Sequence, residues 1–224
     1  MHRTRLDAWA RGFAVQKLRD QLGRPVHPVH RLDKATSGVL LFALDERTQR
    51  ELGTAFETGA VTKRYVAIVR GWPPPTLSID HPLERLHDPY ETGARAEGRQ
   101  AAVTHVRRLA VATLPVQVDR YPTSRYALVA LEPLTGRRHQ LRRHLKYADY
   151  PIIGDTTYGQ GRHNRLFRER FGNDRLLLAA TGITLAHPGT GATVEITAPP
   201  SADFARVATA LGWDDLASLE RSPA

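Results

Sequence analysis

The chain has 224 residues, 41% of them hydrophobic and 25% charged, the composition of an ordinary globular protein long enough to bury a core without covalent staples. It contains no cysteine, which excludes a disulfide framework, a thiolate zinc site and a cysteine nucleophile and gives no reason to expect an oxidising compartment. A formal net charge of +9 favours polyanions, nucleic acid being the commonest, although a basic balance alone is non-specific. Arginine supplies nearly all of the positive charge, with lysine only at Lys17, Lys34, Lys63 and Lys146. No stretch approaches the ~18 apolar residues of a membrane span. The opening Met1-His2-Arg3-Thr4-Arg5 leads into no secretory signal, so a cytoplasmic location is expected.

Asp7 to Leu22 carries Trp9, Phe13, Val15, Leu18 and Leu22 at helical spacing, ended by Gly23 and Pro25. The apolar run Ser37 to Leu44 predicts a continuous buried strand. Asp45 then caps a helix through about Thr58, with Gly59 as its stop. Val61 to Val69 alternates and is rich in β-branched and aromatic residues, a strand pattern. Trp72-Pro73-Pro74-Pro75 breaks regular structure, and Leu86 to Gln100 reads as an exposed polar loop. Val103 to Leu109 and Arg125 to Leu131 predict two strands, and Arg137 to Tyr147 a helix. Arg162 to Gly172 is a second basic stretch. Leu176 to Leu185 and Ala192 to Ile196 predict closing strands, and Ser201 caps a last helix to Leu211. This irregular alternation argues for an α+β fold with a mixed, mainly antiparallel sheet and flanking helices.

Three segments could carry chemistry. His30-Arg31-Leu32-Asp33-Lys34-Ala35-Thr36-Ser37-Gly38 sets a carboxylate beside two cations and two hydroxyls, a setting for a nucleophile or base; the plain alternative is a turn-capping aspartate. In Gly136-Arg137-Arg138-His139-Gln140-Leu141-Arg142-Arg143-His144-Leu145, a helix would turn Leu141 and Leu145 inward and put Arg138 and Arg142 on another face. That face either contacts phosphates, with one arginine turned in to a carboxylate, or is simply solvated. Tyr65 in Lys63-Arg64-Tyr65 either stacks on a base or is a half-buried strand aromatic. His139 and His144 are not at metal-ligand spacing. No phosphate-loop, dinucleotide or nucleophile-elbow motif is present, so no metal, nucleotide or other cofactor is expected.

Taken together, the motifs resemble the RluA-type pseudouridine synthases. His30-Arg31-Leu32-Asp33 with Thr36-Ser37-Gly38 resembles that family's signature loop, and Lys63-Arg64-Tyr65 its tyrosine strand. Gly136 to Arg142, followed by Pro151-Ile152-Ile153-Gly154-Asp155, resembles its third motif. Val15 to Gln21, Gly71-Trp72, Arg120-Tyr121-Pro122-Thr123 and Gly154-Asp155-Thr156 place the resemblance nearest to tRNA-acting members. The implied protein is one catalytic domain over residues 1–224, a monomer without an S4 module, with a mixed, mainly antiparallel sheet and a central cleft. The resemblance starts just after two strands with which the family usually begins, so the expected sheet lacks them.

The resemblance implies isomerisation of a uridine in RNA, with the C1′–N1 bond broken and a C1′–C5 bond formed, without a cofactor. By position, Asp33 is the catalytic aspartate, attacking C1′ or taking the C2′ proton. Arg142 is the arginine that pairs with it and aims it, and Tyr65 stacks on the uracil. The target base has to be flipped out of folded RNA, and Arg31 fills the gap in the stack; His30 in the same loop would also contact RNA. Leu177 or Leu178 would wall the uracil pocket. Arg138, Arg143, Arg162 and Arg168 would meet phosphates, positioning RNA without reading its sequence. Ribosomal RNA as substrate, a catalytically impaired RNA-binding protein of the same fold and a metal-dependent nuclease are the rival readings.

Overall fold

The structure is a computed structural model that describes residues 13–86 and 97–221. The elements in chain order are α1 (Ala14–Leu22), β1 (His27–Pro28), β2 (Ser37–Gly38), β3 (Phe42–Ala43), α2 (Glu46–Glu57), β4 (Thr62–Arg70), β5 (Thr76–Asp80), β6 (Leu83–Glu84), β7 (Arg99–Gln100), β8 (Val103–Leu114), β9 (Ser124–Pro133), α3 (Gln140–Tyr147), α4 (Gly161–Phe171), β10 (Leu178–Ala186), β11 (Thr193–Thr197), α5 (Ala202–Ala210) and α6 (Leu216–Arg221). Trp9, with the first half of the expected opening helix, and most of the expected Leu86–Gln100 loop lie outside the described residues.

The expected α+β class, with a mainly antiparallel sheet, is what the structure has. Six strands run in the order β11-β10-β4-β9-β8-β5, all antiparallel, and β2 adds to β10 in parallel. β4 lies at the middle of the sheet, and its Val66-Ala67-Ile68-Val69 run is buried throughout. Alternation along the strand divides it between two cores. Val66 and Ile68 pack with Tyr126, Leu128, Phe167, Phe204 and Trp213, contributed partly by α4 and α5. Tyr65, Ala67 and Val69 pack with Val129, Leu131, Leu141 and Leu145, contributed partly by α3. Each fully buried large apolar side chain is worth about 1.5–3 kcal/mol. Tyr126 and Phe167, both at 0% exposure, therefore anchor the α4 side strongly. A third cluster of Val39, Leu52, Val61, Ile183 and Leu185 holds α2 against the end of β10.

Most boundaries follow the local signals. Asp45 caps α2 by accepting from the Thr48 amide at 2.8 Å, and Ser201 caps α5 through the Phe204 amide. The basic stretch 162–172 is α4, closed by Gly172. Strand β5, hidden behind three prolines, was not anticipated, although Thr76-Leu77-Ser78-Ile79-Asp80 alternates correctly and buries Ile79.

One expectation is corrected. Ser37 to Leu44 is not one strand but two short ones in different sheets. Ser37 and Gly38 pair with Ala179 and Ala180 in the main sheet, and Val39 donates to the Ala180 carbonyl. The chain then leaves, and Phe42 and Ala43 pair with Pro28 and His27. The break sits at Gly38, whose φ is +111° and where a Cβ would lie 2.0 Å from the Ala180 oxygen. Only glycine fits, because the backbone adopts a conformation closed to L side chains while touching its neighbour. This insertion sets the Asp33 loop beside Tyr65, since Ala180 pairs with Gly38 on one side and with Tyr65 on the other.

Gly38→Ala is expected to disrupt that insertion. Strain at such a position costs about 1–3 kcal/mol before the steric clash is counted, so thermal unfolding should show a lowered midpoint. A midpoint equal to that of the unsubstituted chain would mean that the close approach carries no weight.

Candidate active site

Arg142 is the hub of the site. It lies one turn into α3, with its side chain only 8% exposed. Its Nε donates to Asp155 Oδ2 at 2.7 Å and its Nη2 to Asp155 Oδ1 at 2.8 Å. This two-pronged geometry is the strong mode of guanidinium–carboxylate pairing. The remaining nitrogen, Nη1, faces Asp33 Oδ2 at 3.4 Å. One arginine thus turns inward, as one branch of the sequence reading required, but its tight partner is Asp155 and Asp33 is the looser one.

Asp155 was part of a quoted motif without a role; the structure makes it the anchor. Its side chain is 1% exposed, and Oδ1 also accepts from the Thr157 and Tyr158 amides, both at 2.9 Å. Burial works against its charged form. The bonds from Arg142, Tyr158 and Thr157 outweigh that and hold its carboxyl below the usual range. The turn that presents it needs Gly154, whose φ is +80° and where a Cβ would sit 1.9 Å from the Arg175 carbonyl oxygen. Asn164 of α4 clamps the same turn, accepting from the Gly154 amide and donating to the Asp155 carbonyl. An Asn at the start of a basic helix gave no sequence signal for this task.

Asp33 stands at the mouth of the site, with its side chain 22% exposed. Besides Arg142 it faces His139, Nε2 to Oδ1, at 3.8 Å. Both contacts are longer than a tight hydrogen bond. His139 precedes α3 in the left-handed region, φ +54°, an outlier of the kind that collects at functional sites. Its Nδ1 meets the Tyr158 hydroxyl at 3.0 Å, and the Arg142 guanidinium lies over the Tyr158 ring. Burial lowers the His139 pKa and, with Arg142 and Arg138 pushing the same way, prevails over the Asp33 charge that would raise it. Because His139 is left-handed, α3 starts at Gln140, so the anticipated Arg138–Arg142 helical face does not exist. Gln140 instead pins the turn to β8, donating to the Val103 carbonyl and Thr104 and accepting from Thr135 and the Arg137 amide. Its whole amide is satisfied.

Tyr65 faces the same crevice from β4. Burial pushes its phenol up to about 12, and the nearby Asp33 charge adds to the rise. It is therefore a neutral phenol at physiological pH.

The other anticipated residues divide. Arg31 is exposed beside Asp33. His30 is turned in: its Nε2 accepts from the Leu41 amide, its ring stacks on Phe56 at 4.5 Å, and burial together with Lys63 lowers its pKa to about 4. It braces the loop. Arg143 is half-buried and donates to the Glu84 carbonyl, and Arg138 is half-buried at the entry to α3. Arg162 and Arg168 are exposed on α4, which packs on the sheet face opposite Tyr65, and Arg168 pairs with Asp174. These two do not join the crevice. Leu178 packs in the same core as Tyr65, whereas Leu177 faces the other core with Phe167. Only Leu178 remains on the side of the proposed pocket. A groove of about 480 Å³ is lined by Arg64, Tyr65, His105, Arg107 and Glu132, without Asp33 or Arg142. Among the described residues no three His, Asp or Glu side chains gather as metal ligands, and no helix is long and apolar enough to cross a membrane.

A family model described as RNA pseudouridylate synthase matches residues 1–147. The chain belongs to the RNA pseudouridylate synthase family. It is 43% identical over 217 residues to the tRNA pseudouridine synthase C of Pectobacterium carotovorum subsp. carotovorum, covering 95% of this chain and 57% of that protein, so it spans little more than half of that relative's length. It is 41% identical to the tRNA pseudouridine synthase C of Vibrio cholerae, covering 96% of this chain and 89% of the relative. For that of Salmonella typhi the figures are 44%, 96% and 84%. Among solved structures, Human RNA Pseudouridylate Synthase Domain Containing 4 superposes with a TM-score of 0.65 at 26% identity, covering 88% of this chain and 80% of the other. Human RNA Pseudouridylate Synthase Domain Containing 1 gives 0.64 at 27%, with 82% and 72% covered. The RluA-type resemblance read from three short motifs is therefore membership of this family.

Replacing the anchor should separate stability from chemistry. Asp155→Asn removes one partner of a buried ion pair and is expected to cost about 3–5 kcal/mol of unfolding free energy at neutral pH. Because the folded pKa of Asp155 lies below its ordinary value of 3.8, the pair contributes stability above that value and loses it as pH falls through the folded one. Urea titrations from pH 7 to 2 should therefore show a shallower acid loss in the variant than in the parent.

Proposed function

We propose that this chain isomerises a uridine of tRNA to pseudouridine, with Asp33 acting on the ribose, Arg142 aiming it and Tyr65 stacking on the uracil. The observation that carries the reading is a partly exposed carboxylate held against a buried, pre-fixed guanidinium and beside a neutral phenol. The reaction conserves atoms: C1′–N1 breaks, C1′–C5 forms, C5 loses its proton and N1 gains one. Either attack at C1′ or removal of the C2′ proton needs a carboxylate with room for a nucleotide beside it. Asp33, loosely contacted at 3.4 Å and 3.8 Å, has it. Asp155, saturated by four donors, does not.

Fixing Arg142 on Asp155 before substrate arrives means that no reorganisation is needed when charge shifts on Asp33. Tyr65, with a pKa of about 12, rests as a phenol. It offers a flat face and a hydroxyl donor, and it takes up a proton only after giving its own away. Arg31, exposed at the mouth, is placed to occupy the stack from which the uridine leaves, a flip that costs a few kcal/mol. The choice of tRNA rests on the similarity to tRNA pseudouridine synthases.

Carbodiimide mapping of tRNA and ribosomal RNA treated with the purified protein tests the substrate. Pseudouridine in tRNA is the expected result, and modification confined to ribosomal RNA would overturn that choice. Asp33→Asn should reduce product below detection while tRNA affinity stays within about twofold; joint loss of both would make Asp33 structural. Tyr65→Phe keeps the ring and loses the hydroxyl. General acid–base contributions are typically about 10²–10⁴-fold, so kcat should fall at least about a hundredfold, and an unchanged kcat would remove the hydroxyl from the chemistry.

A further inference from the structure

Two sequence motifs have no part in the crevice, Gly71-Trp72 and Arg120-Tyr121-Pro122-Thr123, and the fold brings them to one end of the sheet. The Gly71 amide donates to the Arg125 carbonyl at 2.8 Å, which ties the turn after β4 to the start of β9. Two large aromatic rings are exposed there, Trp72 at 36% and Tyr121 at 58%. Each has an arginine over it: the Arg125 guanidinium is 4.6 Å from the Trp72 ring centre, and that of Arg120 is 4.6 Å from Tyr121.

The supports beneath are unusually firm for surface loops. The Trp72 indole donates to the Ala112 carbonyl, and Arg108 holds the Pro73 carbonyl at 2.8 Å. Behind the 115–123 loop, Asp119 accepts from Arg70 at 3.0 Å and meets His163 Nε2 at 3.1 Å. His163 is bonded through its other ring nitrogen to the fully buried Tyr126 hydroxyl at 2.8 Å. Residues 70–75 and 108–125 contain four arginines and one acidic residue, Asp119, and that carboxylate is already engaged by Arg70 and His163. The surface is thus rigid, cationic and aromatic.

We propose that the Trp72 turn and the 115–123 loop form a second RNA-binding site, at which unpaired bases stack on the Trp72–Arg125 and Tyr121–Arg120 pairs while the arginines meet phosphates. Aromatic faces take any base, and arginines interleaved with them track the backbone, the combination used by sequence-tolerant single-strand sites. The site is separate from the crevice: Tyr65 and Arg70 are five residues apart on β4, about 17 Å at the rise of a strand. At about 3.4 Å per nucleotide along one strand, that is roughly five nucleotides. An RNA with its uridine at Tyr65 reaches the platform only if it extends about that far from the target. The site therefore discriminates by length, favouring an RNA that runs on past the target over a fragment that ends within a few nucleotides of it. The inference rests on RNA being the substrate.

The test compares full-length tRNA with a fragment that ends about three nucleotides either side of the same target uridine. Trp72→Ala combined with Tyr121→Ala should raise KM for the tRNA at least about thirtyfold with kcat unchanged, the low end for losing two base–aromatic stacks, and should leave KM for the fragment alone. Trp72→Phe, which keeps a ring, should restore most of the loss. The chain has three tryptophans, so the fluorescence difference between the parent and Trp72→Phe isolates Trp72. That difference should be quenched by saturating tRNA and not by the fragment. This reading needs only the parent and the conservative variant, and it decides the matter if the alanine pair fails to fold. Equal losses on both RNAs, an unchanged KM or an unquenched Trp72 would each overturn the second site. Quenching without any pseudouridine formed would instead sink the proposed activity and leave the RNA site standing.

Discussion

One guanidinium shared between two unequal carboxylates organises this protein. Burying Arg142 and Asp155 together costs several kcal/mol per ion unless every lone pair and proton is matched. Here Asp155 receives two bonds from Arg142 and two from backbone amides. The arginine is thereby immobilised, and the edge left over faces Asp33. Three distant stretches of chain have to be held in place for this. β2 inserts beside β10, α3 lies across the sheet, and the turn at 154–158 is clamped by Asn164. A mutation in any of the three is felt at the same carboxylate.

The sheet keeps two kinds of work apart. On the face of Tyr65 and Ala67, the apolar packing is completed by one short helix that also carries Arg142. On the face of Val66 and Ile68, α4, α5 and the large buried aromatics supply bulk. Alternation within β4 alone assigns a residue to one duty or the other. The same alternation at the start of β10 puts Leu177 and Leu178, adjacent in sequence, into different cores, and the exposed arginines of α4 lie on the face opposite Tyr65 although Asn164 of that helix clamps the Asp155 turn.

Much of the fold was legible because local signals agreed with the tertiary result. Asp45 and Ser201 are caps, the Val61–Val69 run is a central strand, and the order of elements yields the mixed sheet. The failures have physical causes. The Ser37–Leu44 run is uniformly apolar, so nothing in its pattern marks the glycine at which it changes sheets. The left-handed His139 shortens α3 because tertiary contacts, with Tyr158 and Asp33, override helix propensity. In the site, motif order singles out Asp33, Tyr65 and Arg142, which the fold brings to one crevice. The anchoring of Arg142 by Asp155 and the roles of Gln140 and Asn164 are not marked by it, since a buried hydrogen-bond hub is defined by distant partners that leave no periodicity behind. His30 misled for the converse reason: its place in a basic loop suggested a ligand contact, whereas its ring is needed to stack on Phe56.

The segment bearing Asp33 hangs between two very short pairings, β2 with β10 and β1 with β3, each two residues long. Strands so brief contribute few cooperative bonds, and regions with few such bonds open at a fraction of the global unfolding cost. It follows that opening this arm costs less than opening the six antiparallel strands. Asp33 can therefore shift against a fixed Arg142 while the scaffold that holds the arginine stays intact.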